Sequence, residues 1–329
     1  MAFANIVGQD IPVDILQNGL ERKRINHAYL FTGKKGVGKK FTAIQFAKAL
    51  NCKEMDLDAC GECISCRKFD SGNHPDIVDI EPEGKHIKID QIRKLQQSIS
   101  YRPYESEWKI YIIKEADCMN LQAANSLLRT LEDPPGYVII ILLASKEESL
   151  LPTITSRCQI VKFRPLTVDE IIDRLISRFK LDKNKAKKIA VLADGSLGKA
   201  IDFIENEETL TTREIILDEI KKLNNLDLVE LFELVQKILD YKEEIDNILE
   251  SIITFYRDLL LYKGSQKEEL LINFDYQEEL SCLDQEYTFD EIQAIIEEIE
   301  KTNNLIQNTN VNLQLALEVM LLNIKEKRM

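Results

Sequence analysis

Along the first two hundred residues, short runs of consecutive apolar positions alternate with stretches whose apolar residues recur every three or four places. "AYLFTG" (Ala28 to Gly33), "KIYIIKEAD" (Lys109 to Asp117) and "YVIIILLAS" (Tyr137 to Ser145) are β-rich and continuously apolar, the pattern of strands covered on both faces. Behind the first, Ile44, Phe46, Ala47 and Leu50 have the spacing of a helix lying on a sheet. "NLQAANSLLRTLEDPPG" predicts a helix from about Leu121 to Leu131, which Pro134-Pro135-Gly136 must stop. Strands and helices that alternate in this way predict a parallel sheet covered by helices.

After Arg164-Pro165 the pattern changes. "LTVDEIIDRLISRFK" opens with Thr167 and Glu170 in capping-box spacing, and a second helix is expected through "NKAKKIAVLADGSLGKAIDFIE". From about residue 207 strand signals nearly vanish and amphipathic helices dominate. Ile292, Ile295, Ile296 and Ile299 predict one apolar face, and Leu315, Val319 and Leu322 another. The expected organisation is therefore 1–165, 166–206 and 207–329: an α/β domain, a small helical unit and a helical bundle.

Composition agrees with several domains. The 329 residues are 44% hydrophobic and 30% charged, with only 12 Gly and 8 Pro, as in a helix-rich globular protein. The start "MAFANIVGQD" lacks the regions of an export signal and the chain lacks long apolar runs, so a cytoplasmic location without membrane contact is expected. The net charge of −13 is uneven: residues 207–329 carry 12 Lys+Arg against 28 Asp+Glu, residues 1–206 carry 31 against 28. Any contact with nucleic acid is expected from the front of the chain.

The first candidate chemistry is "GKKGVGKKFT" (Gly33 to Thr42) between the first strand and its helix. Backbone N–H groups at a helix start cradle phosphates, and Gly33, Gly36, Gly38 and Lys39 supply that loop. The place that should hold Mg²⁺ through a hydroxyl is Lys40, and Thr42 comes two residues too late, rotated by roughly 200°. A second metal place, the acidic residue ending a buried strand, is Lys114, followed by Glu115, the expected water-polarising glutamate. A fixed cation beside Mg²⁺ is repulsive by several kcal/mol at an effective dielectric of roughly 20. Hydrolysis of ATP is not expected, weak binding stays open, and the bland alternative is a glycine-rich turn without ligand.

Cys52, Cys60, Cys63 and Cys66 stand as C-x7-C-x2-C-x2-C, a spacing suited to tetrahedral zinc in a closed, structural site. His74 is expected to mark a turn before Pro75 rather than to serve as a ligand, and Cys118, Cys158 and Cys282 are scattered. The segment holds Lys53 against Glu54, Asp56, Asp58 and Glu62, which attracts phosphate poorly. Arg157 in "LLPTITSRCQIVKF" lies between a helical turn and a strand. It reads either as a surface ion-pair partner or as an arginine offered to a neighbour's nucleotide.

These pieces, in this order, resemble the clamp-loader branch of the AAA+ ATPases. The residues that carry the resemblance are "VGQD" (Val7 to Asp10), "GKKGVGKK" with the four cysteines behind it, "IKIDQIRKL" (Ile87 to Leu95), "AANSLLRTLEDPP" (Ala123 to Pro135), "LLPTITSRCQ" (Leu150 to Gln159) and "DGSLGKAI" (Asp194 to Ile201). The resemblance covers residues 1 to about 205 closely and the rest loosely, through "NTNVNLQLALEVMLL" (Asn308 to Leu322). It implies a RecA-like AAA+ domain carrying the zinc module at about 52–66, a helical lid and an all-α collar for oligomerisation. Implied partners are gamma/tau and delta subunits in a hetero-pentamer, the sliding clamp, and primer-template DNA through the assembled complex. It places Ser145 as a phosphate-sensing residue, Lys199 where many members have a lid arginine, and Arg157 as a finger acting in trans. Catalytic members keep the loop Thr and the strand-end Asp; this chain lacks both, which fits a non-hydrolysing member. The rival expectations are an ATP-hydrolysing gamma/tau-like subunit using Lys39 and Glu115, and a zinc-dependent DNA-binding regulator.

Overall fold

A computed structural model of the chain describes residues 3–55, 57–265 and 271–326; Asp56 of the cysteine segment lies outside them. The chain divides into two compact units, Met1–Ala200 and Ile201–Met329.

The first unit is built on five parallel strands, β1 (Ala28–Thr32), β2 (Ile77–Ile80), β3 (Lys109–Ile113), β4 (Val138–Ala144) and β5 (Gln159–Lys162), in the order β2-β3-β4-β1-β5. Leu30 of β1 lies opposite Leu142 of β4 and Ile160 of β5, so the continuous apolar runs pair with one another at the centre. Successive residues feed two separate cores. Leu30, Tyr111, Ile113, Ile140 and Leu142 face Ile92 and Leu95 of α4 (Ile89–Ile99) and Leu127 of α5 (Leu121–Glu132). Phe31, Ile110, Ile112 and Ile141 face Leu16 of α1 (Asp10–Glu21) and Phe46 of α2 (Lys39–Leu50). Coverage on both faces is why β1, β3 and β4 tolerate no polar alternation.

Two elements escaped the apolar pattern. Edge strand β2 carries an acid, "IVDI", and is only partly buried; α4 follows a polar stretch, and its residues stood out only as part of the family resemblance. Between them in the chain, α3 (Ile64–Asp70) belongs to the cysteine segment. The short α6 (Pro152–Thr155) begins on Pro152 and leads into β5. The expected capping box is present at α7 (Val168–Phe179): Thr167 Oγ1 accepts from Glu170 N at 3.3 Å and Glu170 Oε2 accepts from Thr167 N at 2.8 Å. Helix α8 (Lys183–Leu192) follows, and α9 (Leu197–Glu205) starts in this unit.

The second unit is helical throughout its described residues: α10 (Glu207–Ile220), α11 (Leu228–Asp240), α12 (Ile245–Ser265), α13 (Gln277–Leu283), α14 (Phe289–Asn308) and α15 (Leu313–Glu326), with single 3-10 turns between. Ile292, Ile295 and Ile299 of α14 are buried as expected and Ile296 packs partly against them. The expected face of α15 is corrected. Leu317, Met320, Leu321 and Ile324 are buried, whereas Leu315 and Val319 are 55% and 46% exposed. This helix carries two apolar stripes, and periodicity alone does not select between them.

A buried polar knot pins α10 to the segment before α13. Arg213, 5% exposed, donates to Asn273 Oδ1 at 2.5 Å and to both carboxylate oxygens of Asp275 at 3.1 Å, under the ring of Tyr276. Asn273 in turn donates from its backbone and side chain to the fully buried Asp258, whose carboxyl is pushed up by burial. Among the described residues no helix is long and apolar enough to cross a membrane. Replacing Arg213 by Met takes away the donor and leaves the buried Asn273 Oδ1 without it. Urea unfolding of the full chain is expected to show a loss of about 1 to 3 kcal/mol in the transition of the helical unit; an unchanged midpoint would show the knot to be dispensable.

Candidate functional site

The loop after β1 has the backbone that its glycines permit. Gly33, Gly36 and Gly38 have φ of +146°, +79° and +103°, and Gly38 caps α2. Its mouth is closed by the chain itself. Gly198 N, at the start of α9, donates to Gly36 O at 2.8 Å. A Cβ on Gly36 would fall 2.1 Å from Ser196 Oγ, and one on Gly198 would fall 2.8 Å from Gly36 Cα, so this approach requires glycine on both sides. Lys34 adds an ion pair to Asp194 at 2.7 Å. Gln9, 1% exposed, donates to Val37 O at 3.3 Å and to Arg164 O at 2.8 Å, and accepts from Arg164 N at 3.2 Å. Lys39 turns back onto the carbonyl oxygens of Gly33 and Lys34. Burial draws its pKa down to about 8, with Asp117 and Glu115 partly offsetting that. Lys199 stands in the first turn of α9, its backbone N–H on Ser196 Oγ at 3.1 Å.

The two positions expected to serve a metal are lysines that lie side by side. Lys114, following β3, pairs with Asp79 at 2.5 Å and with Glu81, both from the end of β2, and its side chain is only 13% exposed. Lys40 lies beside Lys114, and that neighbour, more than burial, lowers its pKa. Thr42 is fully buried within α2, and its hydroxyl has no hydrogen-bond partner among the described residues, as its rotation away from the loop requires. Glu115 is exposed at φ +48°. Ser145 hydrogen-bonds Asp117 through its hydroxyl and through its N–H at 3.0 Å.

The four cysteines converge as their spacing predicts. The Sγ atoms of Cys52, Cys60, Cys63 and Cys66 all lie within 4.8 Å of one another, and Cys60 and Cys66 are 3.8 Å apart. That is the edge of a tetrahedron with Zn–S bonds of about 2.3 Å. Backbone N–H groups point at the sulfurs: Cys60 N at Cys52, Glu62 N and Cys63 N at Cys60, and Cys66 N at Cys63, at 3.3 to 3.4 Å. Burial raises the Cys63 thiol, but the N–H groups of Cys66 and Lys53 outweigh it and bring the pKa to about 6. Such a donor set can hold a metal ion such as zinc. His74 is outside it: buried, stacked on Phe69 and 3.2 Å from both Ser65 Oγ and Ser106 Oγ.

Arg157 follows α6, remote in sequence from both centres. Its Nη1 donates to Thr153 O and its Nη2 to Glu132 Oε1, each at 2.8 Å, and its side chain is 35% exposed.

With this geometry in hand, the relatives decide the lineage. The family model for DNA polymerase III, delta subunit, matches residues 8–167, and that for its C-terminal part matches residues 207–326. Over 319 residues the chain is 32% identical to DNA polymerase III subunit delta' of Bacillus subtilis (strain 168), covering 95% of this chain and 94% of that one. This chain belongs to the DNA polymerase III delta-prime family. Delta-prime family membership is accompanied by likeness to other subunits. Identity is 28% to subunit tau of the same Bacillus, over 94% of this chain and 59% of that one. It is 30% to subunit gamma of Buchnera aphidicola, over 98% and 90%. A solved gamma subunit-related protein from Thermotoga maritima aligns over 97% of this chain and all of its own, at 20% identity and a TM-score of 0.45.

Several partners within this delta-prime family member gave no sequence signal. Asp79, Glu81, Asp117, Glu132 and Gly198 carry no mark in the sequence of the partners to which the sheet order and the helices α5, α6 and α9 bring them, Lys114, Ser145, Arg157 and Gly36. For the cysteine centre, metal analysis of the purified chain is expected to give one zinc per molecule. Its removal by a chelator at neutral pH should lower the thermal midpoint by roughly 5 °C or more, since a unit of this size shifts about 2 to 4 °C per kcal/mol. Indifference to chelation would mean that the sulfurs hold no structural ion.

Proposed function

We propose that this chain is the non-hydrolysing delta-prime subunit of a bacterial clamp loader. In this reading it is a scaffold within a hetero-pentamer with gamma/tau and delta subunits, which together place a sliding clamp on primer-template DNA at the expense of ATP. Residues 1–165 act as the RecA-like domain, 166–206 as the lid and 207–329 as the collar that joins the subunits. Zinc at the four cysteines is structural, because all four donors are sulfur and none leaves a position for water.

The observation that carries the non-hydrolysing reading is the pair of lysines in the metal place. Mg²⁺ needs hard oxygen ligands near 2.0 to 2.1 Å, roughly, and strong local negative charge. Here Asp79 and Glu81, the nearby carboxylates, are already neutralised by Lys114, with Lys40 beside it. The contact between Gly36 and Gly198 further supports it, since the space above the loop is spanned by the chain's own backbone. Against a gamma/tau-like enzyme stands the occupation by Lys40 and Lys114 of the two positions where a hydroxyl and a carboxylate are expected for the metal. Against a DNA-reading zinc protein stands the acidic character of the cysteine segment. Arg157 then has its use in trans, as a charge offered to the nucleotide of an adjacent catalytic subunit.

The purified chain is expected to hydrolyse no ATP above background in Mg²⁺ and to retain no labelled ATP in equilibrium binding. Reconstituted with its catalytic partners, Arg157→Ala should assemble normally while the ATP site it serves loses on the order of 10³-fold in turnover. Magnesium-dependent turnover by the isolated chain, abolished by Lys39→Ala, would overturn the proposal.

A further inference from the structure

The geometry around Arg157 points to a second residue in the reaction: we infer that Glu132 is the positioning residue that aims the Arg157 guanidinium at the neighbouring subunit's nucleotide. This rests on the reading of Arg157 as a finger.

A finger works by placing a charge where negative charge develops, and its effect depends on not having to be reoriented at that moment. An arginine with four side-chain torsions on a surface turn is poorly suited to this unless something fixes it. Here two of its nitrogens are fixed from two directions. Nη1 is held by Thr153 O, one turn back in its own segment, and Nη2 by Glu132 Oε1, from a different element. Both donors are charged, so both bonds belong to the stronger class. They occupy one hydrogen on each terminal nitrogen. A guanidinium has five, and three stay available for phosphate oxygens.

The two supports are carried on packed elements, although the Glu132 side chain itself is 54% exposed. Glu132 is the last residue of α5, immediately before Asp133-Pro134-Pro135, whose prolines allow the chain little freedom. Its neighbour Leu131 is buried in the same core cluster as Leu150 and Ile154, which anchor the segment bearing Arg157. Thr153 lies in α6, where Arg157 N donates to Ile154 O at 3.0 Å and Ser156 N to Pro152 O at 3.0 Å. The carboxylate is therefore carried on a packed helix and the guanidinium on a packed turn. An exposed ion pair of this kind adds little to stability. Its value lies in orientation, so a change at Glu132 should move catalysis and leave folding alone.

The test is a double-mutant cycle in the reconstituted clamp loader, with Glu132→Ala, Glu132→Gln, Arg157→Ala and the Glu132→Ala/Arg157→Ala pair. Glu132→Ala is expected to lower kcat for ATP about tenfold with KM within about twofold, because the loss is confined to the transition state. Glu132→Gln keeps an acceptor oxygen for Nη2 and should recover most of that rate. The double variant should turn over no more slowly than Arg157→Ala alone, the mark of one residue acting only through the other. Thermal midpoints and assembly should be unchanged in all four. Normal turnover in Glu132→Ala with a deficient Arg157→Ala would sink the role of Glu132 and leave the finger standing. A further loss in the double variant would also overturn it, by showing an independent effect. Normal turnover in Arg157→Ala would overturn the finger itself and this inference with it.

Discussion

The cation at the end of β3 is the constraint around which the nucleotide fold of this chain is rearranged. A buried-strand terminus that faces a phosphate loop is a natural place for a divalent ion, because the loop brings N–H donors and the strand end brings acids. Lys114 reverses the requirement. Its side chain is only 13% exposed, and an ammonium so placed is kept charged by the carboxylates beside it. Asp79 and Glu81 meet that need, and hydrogen bonds to them raise its pKa despite burial. The acids that a magnesium ion would require are thereby committed to a group of the chain's own, and Lys40 adds a second like charge at the same point.

In the proposed non-hydrolysing role, the loop can serve as a joint. In a working nucleotide site, phosphate mediates between loop and lid, and the two must part for exchange. In this chain the mediator is replaced by direct contact: Gly36 against Gly198, Lys34 against Asp194, and Gln9 bridging Val37 to Arg164. The ion pair is half-exposed and contributes little on its own. The glycine contact is different in kind, because backbone within van der Waals range at both α-carbons leaves no room for a side chain on either side. A joint of this sort is specified by the absence of atoms, which makes it stiff without a strong bond. Such stiffness is what the proposed role as a fixed member of a ring requires.

How much of this was legible in the sequence follows from the range of each interaction. β1, β3 and β4 were plain because burial on both faces erases polar alternation, and the cysteine centre was plain because its four ligands fall within fifteen residues. Both lysine substitutions were visible because the loop and the strand end have fixed local patterns. What the lysines bond to was not. Asp79 meets Lys114 only because β2 lies beside β3 in the sheet, and strand order is a property of the folded chain. Glu132 and Arg157 are twenty-five residues apart and meet through the packing of α5 on α6. The face of α15 was misread for the opposite reason: two apolar stripes were both present, and only the neighbouring helices determine which is covered.

The same distinction bears on what a metal ion held by the four cysteines would accomplish. Four thiolates could close a loop anywhere on a surface, yet this module is tied down along one side of α3. Ser65 Oγ and Ser106 Oγ share His74 Nε2, Lys48 pairs with Asp70 at 2.7 Å, and Lys68 reaches Glu105. The partner loop is equally held: Asp76 accepts from the backbone of Tyr104, Glu105 and Ser106. The segment before β3 is thus braced from two sides, by a carboxylate nest beneath it and by α3 beside it. Burial lowers the His74 pKa against the pull of Asp76 and Glu105, which favours the neutral imidazole; its Nδ1 accepts from Asp76 N at 3.2 Å while Nε2 faces both hydroxyls. An ion that fixes Cys63 and Cys66 fixes the first turn of α3, and through Ser65 and Lys68 the positions of Ser106 and Glu105. Its structural reach therefore extends past its ligands to the loop that leads into β3, the strand that ends at Lys114.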